Sequence, residues 1–497
     1  MGAGAGGAGR PPALEFGREA ASAAALPGGG GGHGPRGDGA TPGHAGRALP
    51  EAGGPPRAPL HPARGAGRRR AERRLHHLGR RALARTGERG RTRAEPPGRR
   101  EGRGLVLGIS RATLAERREK ARREMGRRGI RALVLFGPGQ VRYLSDFAFI
   151  ATERPMALIL TEEKSWLFVP RLEVEHAEAS AWVDEILAYP EYPDEEHPML
   201  HLARLLRDRG LGEARLGVDS DGYAGGYGYA GPRLSEVLPD AEVERAGEIV
   251  ARLSRVKSAD EIALIRESVR WGHLAHRYLQ EAVRPGRNET EISLEATRRA
   301  TLAMIRTVGE LLPPGSGPAF AGFRGQVGKG SALPHAVTTH AVIRPGDVLV
   351  TGASANVGGY GSELERTLVV GTPTPEQERY FRLMLEAQEL AFAQIRPGVT
   401  CAQVDAEVRR FFREQGIEAY WRHHTGHGLG AGMHEAPFLD VGDPTVIEAG
   451  MVFSLEPGLY VPGFAGFRHS DTILVTERGA EWLTYYPRDL SSLTVEL

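Results

Sequence analysis

Five short stretches in the second half of the chain hold the histidines and carboxylates that could do acid–base or metal chemistry. An imidazole changes its charge near neutral pH, so it can pass a proton to or from a reacting group. Imidazole and carboxylate groups are also donors that hold first-row divalent metal ions. The stretches are Leu333–His335, Gly352–Glu365, His423–Glu435, Ser454–Gly458 and Gly466–Asp471. Brought together, they predict one reactive polar cleft.

A weak internal repeat predicts how these stretches meet. A helix, an Arg-Pro-Gly turn and a second helix occupy residues 258–300, and the same order returns over residues 376–415. Each copy then supplies a histidine, His335 in the first and His434 in the second, followed by a turn and a strand. Two similar α/β halves that face each other would bring both histidines and both strand ends into a central cleft.

Short β-rich runs alternate with helical stretches in the part of the chain that precedes the repeat. We expect strands at residues 132–136, 157–160, 166–169 and 186–189. A charged amphipathic helix is expected over residues 113–128, with Thr113 as its cap. The alternation predicts an α/β domain over residues 109–245, followed by a second domain over residues 246–497.

A Gly/Tyr-rich break over residues 222–231 lies near the end of the first domain. It formally contains the G-x-G-x-x-G pattern of a phosphate-binding turn, but Pro232 follows where a helix should open, so we interpret it as a loop. The second domain begins with a long amphipathic helix over residues 258–283, for which Ser258 is the expected N-cap.

Residues 1–108 differ from the rest of the chain in composition. They are rich in glycine, alanine, arginine and proline, and Phe16 is their single aromatic residue. A segment with so few large apolar side chains cannot bury enough surface to offset the entropy of ordering. We therefore expect a disordered low-complexity extension without a function of its own, and a translation start near Val106 would leave it out altogether. The formal net charge of +2 hides an arginine-rich segment in front of an acidic body.

The composition also excludes several classes of protein. Cys401 is the only cysteine, which excludes an internal disulfide framework and a cysteine-based zinc site. No run of about 18 apolar residues could span a membrane. The arginine runs lack interleaved aromatic residues, so nucleic acid is not an expected partner. We expect a cytoplasmic protein that acts on a small molecule or a short peptide.

Three motifs of the second domain are highly specific in combination. They are Gly-His-Gly-Leu-Gly at 426–430, Met-His-Glu at 433–435 and Ser-Leu-Glu-Pro-Gly-Leu-Tyr at 454–460. With them the chain resembles the pita-bread superfamily of methionine aminopeptidase, Xaa-Pro aminopeptidase, prolidase and creatinase, over about residues 110–490. The resemblance implies an α/β N-terminal domain of the creatinase/prolidase type, then an α+β pita-bread domain with an internal pseudo-two-fold repeat. It also implies a homodimer.

The resemblance implies a metal site, and the chain departs from the family at several of its positions. The peptidases of the family hold two divalent ions, such as Mn²⁺, Co²⁺ or Zn²⁺, between two aspartates, one histidine and two glutamates. The histidine matches His427 and the first glutamate matches Glu456, while Glu363 stands at the second aspartate position. Gly352 and Ser470 occupy the remaining two positions and offer no carboxylate. We therefore expect at most one ion, on Glu363, His427 and Glu456.

A second departure points to the creatinase branch of the superfamily. Glu365 follows two residues after Glu363, on the same side of the expected strand, and creatinase carries a glutamate in a similar context. Creatinase works without metal and uses a histidine that matches His335 as its general acid and base, while its substrate-binding glutamates match Glu365 and Glu456. Phe438 replaces the arginine that would bind the carboxylate of creatine, so creatine is not the expected substrate.

Three functions stay open at this stage. The first is an Xaa-Pro aminopeptidase-like or dipeptidase-like hydrolase with an incomplete metal site, in which His335 and His434 would hydrogen-bond the tetrahedral intermediate. The second is a metal-independent, creatinase-like amidinohydrolase acting on a small cationic or zwitterionic substrate, and the third is a non-catalytic binding protein. The expected catalytic residues are His335, His434, Glu365 and Glu456. The expected substrate-binding residues are Glu365, His434 and Arg468.

Overall fold

The computed structural model describes residues 107–223 and 228–497. The predictions for residues 1–108 therefore fall almost entirely outside the described residues, and the Gly/Tyr-rich break falls partly outside them. Within the described ranges, no helix is both long and apolar enough to cross a membrane.

The N-terminal domain is built from six strands and six helices, which alternate along the chain except for the adjacent strands β2 and β3. Its strands are β1 Ala132–Leu135, β2 Ala157–Thr161, β3 Ser165–Pro170, β4 Glu185–Tyr189, β5 Arg215–Val218 and β6 Glu242–Arg245. Its helices are α1 Arg111–Arg128, α2 Pro138–Ser145, α3 Val174–Ser180, α4 Pro198–Asp208, α5 Leu234–Val237 and α6 Gly247–Arg255. The strands form one mixed sheet in the order β4-β3-β2-β1-β5-β6, which confirms the predicted α/β class and its first four strands.

Both faces of this sheet are covered, as the continuous apolar runs of its strands require. Leu133 and Leu135 of β1 belong to the core on one face, while Val134 belongs to the core on the other face. Ile249 and Val250 of α6 join the first of these cores. The helix after β6 thus packs with the N-terminal domain, so this domain extends beyond the predicted boundary at residue 245.

The first helix has a different cap from the predicted one. The N-cap of α1 is Ser110, whose hydroxyl oxygen accepts a hydrogen bond from the backbone N–H of Thr113 at 3.2 Å. The hydroxyl of Thr113 instead donates to Asp260 at 2.6 Å, at the start of the second domain. The prediction of Thr113 as the cap is therefore wrong, because a hydroxyl three residues earlier takes that position.

The second domain is built around a ten-stranded sheet and four long helices. Its strands are β7 Ala319–Gly322, β8 Val348–Val357, β9 Tyr360–Gly361, β10 Leu364–Val370, β11 Gly426–Gly428, β12 Glu435–Leu439, β13 Val452–Leu455, β14 Gly458–Val461, β15 Ala465–Arg468, β16 Ser470–Thr476, β17 Gly479–Trp482 and β18 Thr494–Val495. Its helices are α7 Ala259–Ala282, α8 Glu289–Val308, α9 Pro375–Gln394 and α10 Cys401–Glu414.

The strand order of this sheet shows the predicted repeat. The path runs β12-β11-β13-β16-β10-β8-β7, with β9, β17 and β18 paired to β8, β16 and β10, and β14 and β15 form a separate hairpin. The helices α7 and α8 precede the strands of one half, and α9 and α10 precede those of the other half. Ser258 caps α7 as predicted, in a capping box with Glu261.

A buried polar layer lies between the central strands and α7. Arg366 of β10 and Asp471 of β16 form a fully buried ion pair at 2.8 Å. His273 of α7 is buried close by, and its Nε2 accepts a hydrogen bond from the backbone N–H of Tyr485 at 3.1 Å. Burial lowers the pKa of His273 to about 4, and the positive charge of Arg366 adds to this lowering. His273 is therefore neutral in the folded protein at neutral pH.

We expect His273 to make the fold less stable as the pH falls. Between its ordinary pKa of 6.5 and the folded value of about 4, the unfolded chain binds a proton that the folded protein does not. Within this window the residue should lower the free energy of unfolding by up to about 1.4 kcal/mol for each pH unit. Urea unfolding between pH 7 and pH 4 should show that the free energy of unfolding falls less steeply for His273→Gln than for the wild type. The amide oxygen of the glutamine can still accept a hydrogen bond from the backbone of Tyr485. Equal slopes for the two proteins would contradict the assignment.

Candidate functional site

The central strands of the second domain carry the predicted site residues side by side. Glu365 of β10 lies opposite Gly352 of β8 on one side and opposite Ser470 of β16 on the other. His427 lies on β11, and Glu456 directly follows β13. Since residues directly opposite on neighbouring strands project to the same face, the positions at 352, 365 and 470 form one row across three strands.

Glu363 is held at the start of β10 by two serine hydroxyls. Ser454 and Ser470 donate hydrogen bonds to its Oε1 at 2.9 and 2.7 Å, and their own hydroxyl oxygens are 2.7 Å apart. Burial raises the pKa of Glu363 to about 7, and the negative charges of Glu456 and Glu365 add to the increase. Ser470 therefore supports a neighbouring carboxylate instead of presenting one of its own.

His427 lies between two of the carboxylates. Its Nε2 is 3.2 Å from Glu456 Oε1 and 3.7 Å from Glu363 Oε2. Burial alone would lower the pKa of His427, but the contact with Glu456 and the negative charge of Glu363 outweigh it and raise the pKa to about 9. Burial alone would raise the pKa of Glu456, yet His427 and the charge of Arg468 lower it well below its usual range. Without an ion, the two groups form a charged pair.

Glu365 is enclosed by two arginines from different parts of the chain. Arg468 donates to both of its carboxylate oxygens, and Arg324 donates to Oε1 at 2.6 Å. Arg468 is fully engaged, because it also donates to the Tyr460 hydroxyl at 2.8 Å and contacts the Gln326 amide oxygen at 3.4 Å. The substrate-binding role of Arg468 stays a prediction, and its buried donors are already committed to protein groups.

Of the two predicted cleft histidines, His434 lies against His427. His434 is exposed, and its ring stacks on that of His427 with 3.7 Å between centroids. Partial burial of its ring lowers the pKa of His434, and the positive charges of His427, His424 and His335 contribute to the lowering. His335 is exposed, and its charge is the smallest of these influences on His434. Phe438 lies opposite His427 in the sheet, in contact with His424, so this wall of the cleft is aromatic.

A buried carboxylate that the sequence analysis did not single out holds the loop bearing His335. Glu289, at the start of α8, accepts hydrogen bonds from the backbone N–H groups of Gly325 at 2.8 Å, Thr339 at 2.9 Å and Ala341 at 3.1 Å. These donors lie on both sides of His335 in the chain. A glutamate in the first turn of a helix has no local signal for such partners, since they come from a loop more than thirty residues away.

Comparisons with known proteins agree with this geometry. Residues 263–477 match metallopeptidase family M24, and residues 117–256 match the creatinase/prolidase N-terminal domain. An uncharacterized peptidase of Bacillus subtilis is 30% identical over 376 residues, which cover 75% of this chain and 98% of that protein. The chain belongs to metallopeptidase family M24.

Other M24 relatives are similar along nearly their whole length. An Xaa-Pro dipeptidase of Pyrococcus horikoshii is 30% identical over 347 residues, which cover 69% of this chain and 91% of that protein. The solved structure of an Xaa-Pro dipeptidase from Bacillus anthracis aligns with a TM-score of 0.65 at 28% identity, over 77% of this chain and 100% of that one. The creatinase-type N-terminal domain and the pita-bread fold implied by the motifs are confirmed, and this M24 protein is a hydrolase of carbon–nitrogen bonds.

The family name implies divalent metal, and the donors of this chain determine how many ions can fit. The Nε2 of His427 is buried and makes no hydrogen bond of good geometry, although two carboxylates flank it. Two sets of possible ligand atoms lie within 4.8 Å of one another, and Glu363 belongs to both: Glu363, His427 and His434, and Glu363, Glu365 and Glu456. Neither set is the predicted trio of Glu363, His427 and Glu456, so a single ion on that trio stays a prediction. Gly352 and Ser470 supply no carboxylate for a second ion.

Proposed function

We propose that this protein hydrolyses the peptide bond of dipeptides of the Xaa-Pro type, with a site that holds at most one divalent metal ion. The substrate class is supported by the relatives, several of which are named Xaa-Pro dipeptidases. The single observation behind the metal part is the row of residues 352, 365 and 470, in which Gly352 and Ser470 lack carboxylates. We further propose that the hydrolase is a homodimer, as the resemblance implies.

The side chains of the cleft have separate tasks in this proposal. An ion on Glu363, His427 and Glu456 would supply hydroxide from water near neutral pH. His335 and His434 would donate hydrogen bonds to the tetrahedral intermediate, since both are exposed and the ring of His434 stacks on that of His427. The Nδ1 of His427 lies 3.1 Å from the carbonyl oxygen of Gly428, and this contact orients the ring.

A metal-independent amidinohydrolase is the second candidate. Its main support is the presence of Glu365 in the sequence, at the position of a substrate-binding glutamate of creatinase. A cationic substrate needs a carboxylate with unused charge, but Arg468 and Arg324 already contact Glu365. Only Glu456 is left from the expected pair, and it contacts His427. These contacts favour the peptidase over the amidinohydrolase. The peptidase names of the relatives likewise favour catalysis over a non-catalytic binding role.

Metal content measured together with activity tests the proposed function. We expect elemental analysis of the purified protein, dialysed against Mn²⁺, to find about one equivalent per chain, and glycyl-L-proline to be hydrolysed. His335→Ala should lower kcat/KM by about 100-fold, the usual range for loss of a group that acts only in the transition state. Two equivalents of metal would contradict the one-ion site. Urea release from guanidino acids by metal-free protein, with no cleavage of the dipeptide, would favour the amidinohydrolase instead.

A further inference from the structure

A buried lysine lies against the loop of residues 430–435, which carries His434. Lys257 belongs to the short linker between the last helix of the N-terminal domain and the first helix of the second domain, and its side chain is only 2% exposed. Its Nζ forms an ion pair with Oε1 of Glu435 and donates to the carbonyl of Arg255 at 3.3 Å. Its backbone N–H donates to the carbonyl of Gly450 at 2.9 Å. The ammonium group therefore has a fixed position beside the loop.

Glu435 connects this ammonium group to the backbone of the loop. Its Oε2 accepts a hydrogen bond from the N–H of Gly432 at 3.1 Å, and the carbonyl of Gly432 accepts one from the N–H of Gly430 at 3.1 Å. The lysine stem passes directly along Gly430, where an added Cβ would lie 2.6 Å from the Cε of Lys257. A glycine at 430 thus leaves the space through which the lysine reaches the carboxylate.

His434 has no polar anchor of its own. Among the residues that the structure describes, none forms a hydrogen bond or an ion pair with its ring nitrogens. The ring is exposed and stacks on that of His427, with 3.7 Å between centroids. Its position therefore depends on the loop, and the carboxylate of Glu435 is the only charged side chain that the loop contains.

We propose that Lys257 is a positioning residue, which holds His434 against His427 through the ion pair with Glu435. This inference rests on the proposed function, in which His434 donates a hydrogen bond to the tetrahedral intermediate. A buried ion pair is a firm anchor, because breaking it leaves a charge without a counter-ion in a poorly solvated place. A donor that stabilises a transition state has to be held within about 0.5 Å of its productive position. Lys257 thereby connects the domain linker to the cleft.

The test is a double-mutant cycle of Lys257→Met and His434→Ala, with glycyl-L-proline as substrate. Methionine keeps most of the buried stem and removes the charge. We expect Lys257→Met to lower kcat by about 10- to 100-fold at an unchanged KM, because a displaced donor loses a contact made only in the transition state. In the His434→Ala background the same substitution should cause no further loss, since the group that it positions is gone.

Lys120→Met is the matched control for this cycle. It also removes a lysine from an ion pair, but its partner Glu116 lies on the exposed face of the first helix, so neither kcat nor KM should change. Every kcat is divided by the folded fraction obtained from a thermal melt. Equal factors of loss in both backgrounds would overturn the positioning role, because a general disturbance of the fold acts whether or not His434 is present. No loss in the wild-type background would overturn it as well.

The ring of His434 can also be followed without turnover, which separates this inference from the proposed function. In protein labelled with ¹³C-histidine, the Cε1–H resonance of His434 is the one that His434→Ala lacks. We expect Lys257→Met to move this resonance toward that of an unfolded histidine, while Lys120→Met leaves it in place. If the wild type cleaves no dipeptide, such a shift would support the anchor while the proposed hydrolysis fails. A resonance that Lys257→Met leaves unmoved would overturn the anchor.

Discussion

Replacing Arg366 by methionine is expected to lower the free energy of unfolding by about 3–5 kcal/mol, because a buried carboxylate loses its counter-ion. Arg366 and Asp471 are both fully buried and pair at 2.8 Å. The guanidinium also donates to the backbone carbonyl of Pro487 at 2.8 Å and of Glu365 at 2.7 Å. Methionine fills a similar volume but satisfies none of these acceptors. Urea unfolding at a fixed pH measures the loss.

A surface arginine provides the matched control for this prediction. Arg410 also pairs with two carboxylates, those of Glu407 and Glu414, but its side chain is 54% exposed. Arg410→Ala should therefore change the free energy of unfolding by no more than about 0.5 kcal/mol. A loss below about 1 kcal/mol for Arg366→Met would show that the buried pair contributes little.

Removing both partners of the pair separates the contribution of the ion pair to stability from that of side-chain packing. In Arg366→Met combined with Asp471→Leu, no buried charge is left unpaired, so the combined loss should be smaller than the sum of the two single losses. Arg366 also fixes the carbonyl of Glu365, next to the candidate site. The folded fraction of Arg366→Met should therefore have lower activity as well.

The sequence predicted those parts of the fold that depend on residues close together in the chain. The capping box at Ser258 needs only Glu261, three residues on, and the structure has it. The four strands of the N-terminal domain followed from short runs of β-branched and aromatic residues, and each lies within two residues of its expected bounds. The prediction of Thr113 as a cap was wrong. Ser110, three residues earlier, takes the cap position, and the hydroxyl of Thr113 donates to the distant Asp260.

The sequence named candidate site residues but not the partners that each of them contacts. The resemblance named Glu363, His427 and Glu456 as candidate ligands, and both glutamates lie within 4 Å of the Nε2 of His427. The partners of Glu365 could not be foreseen, because Arg324 and Arg468 are 41 and 103 residues away from it in the chain. These pairs depend on the register of the sheet and on a turn in which Arg324 has a positive φ of 52°. Neither feature produces a local sequence pattern.

Restoring the two missing carboxylates is expected to change the metal content from one ion to two. In the double variant Gly352→Asp with Ser470→Glu, the new side chains would flank Glu365 in one row across three strands. An added Cβ at Gly352 has its nearest neighbour at 3.4 Å, the Oε1 of Glu365, so the backbone has room for a side chain. Elemental analysis after dialysis against Mn²⁺ should find about two equivalents per chain. Each single substitution should leave the metal content near one ion per chain, because the second ion would still lack one of its two carboxylate ligands.

The same variant should become dependent on metal for its stability. Without metal, two carboxylates join three others in a buried cluster, and like charges in a poorly solvated site repel each other. The metal-free variant should therefore melt below the wild type. Mn²⁺ at 100 times its dissociation constant should add about 2.7 kcal/mol to the free energy of unfolding, which raises the melting temperature by several degrees. Ser470→Ala controls for the lost hydrogen bond to Glu363, since it removes the hydroxyl without adding charge. An unchanged metal content with an unchanged melting temperature would show that Gly352 and Ser470 do not limit the site to one ion.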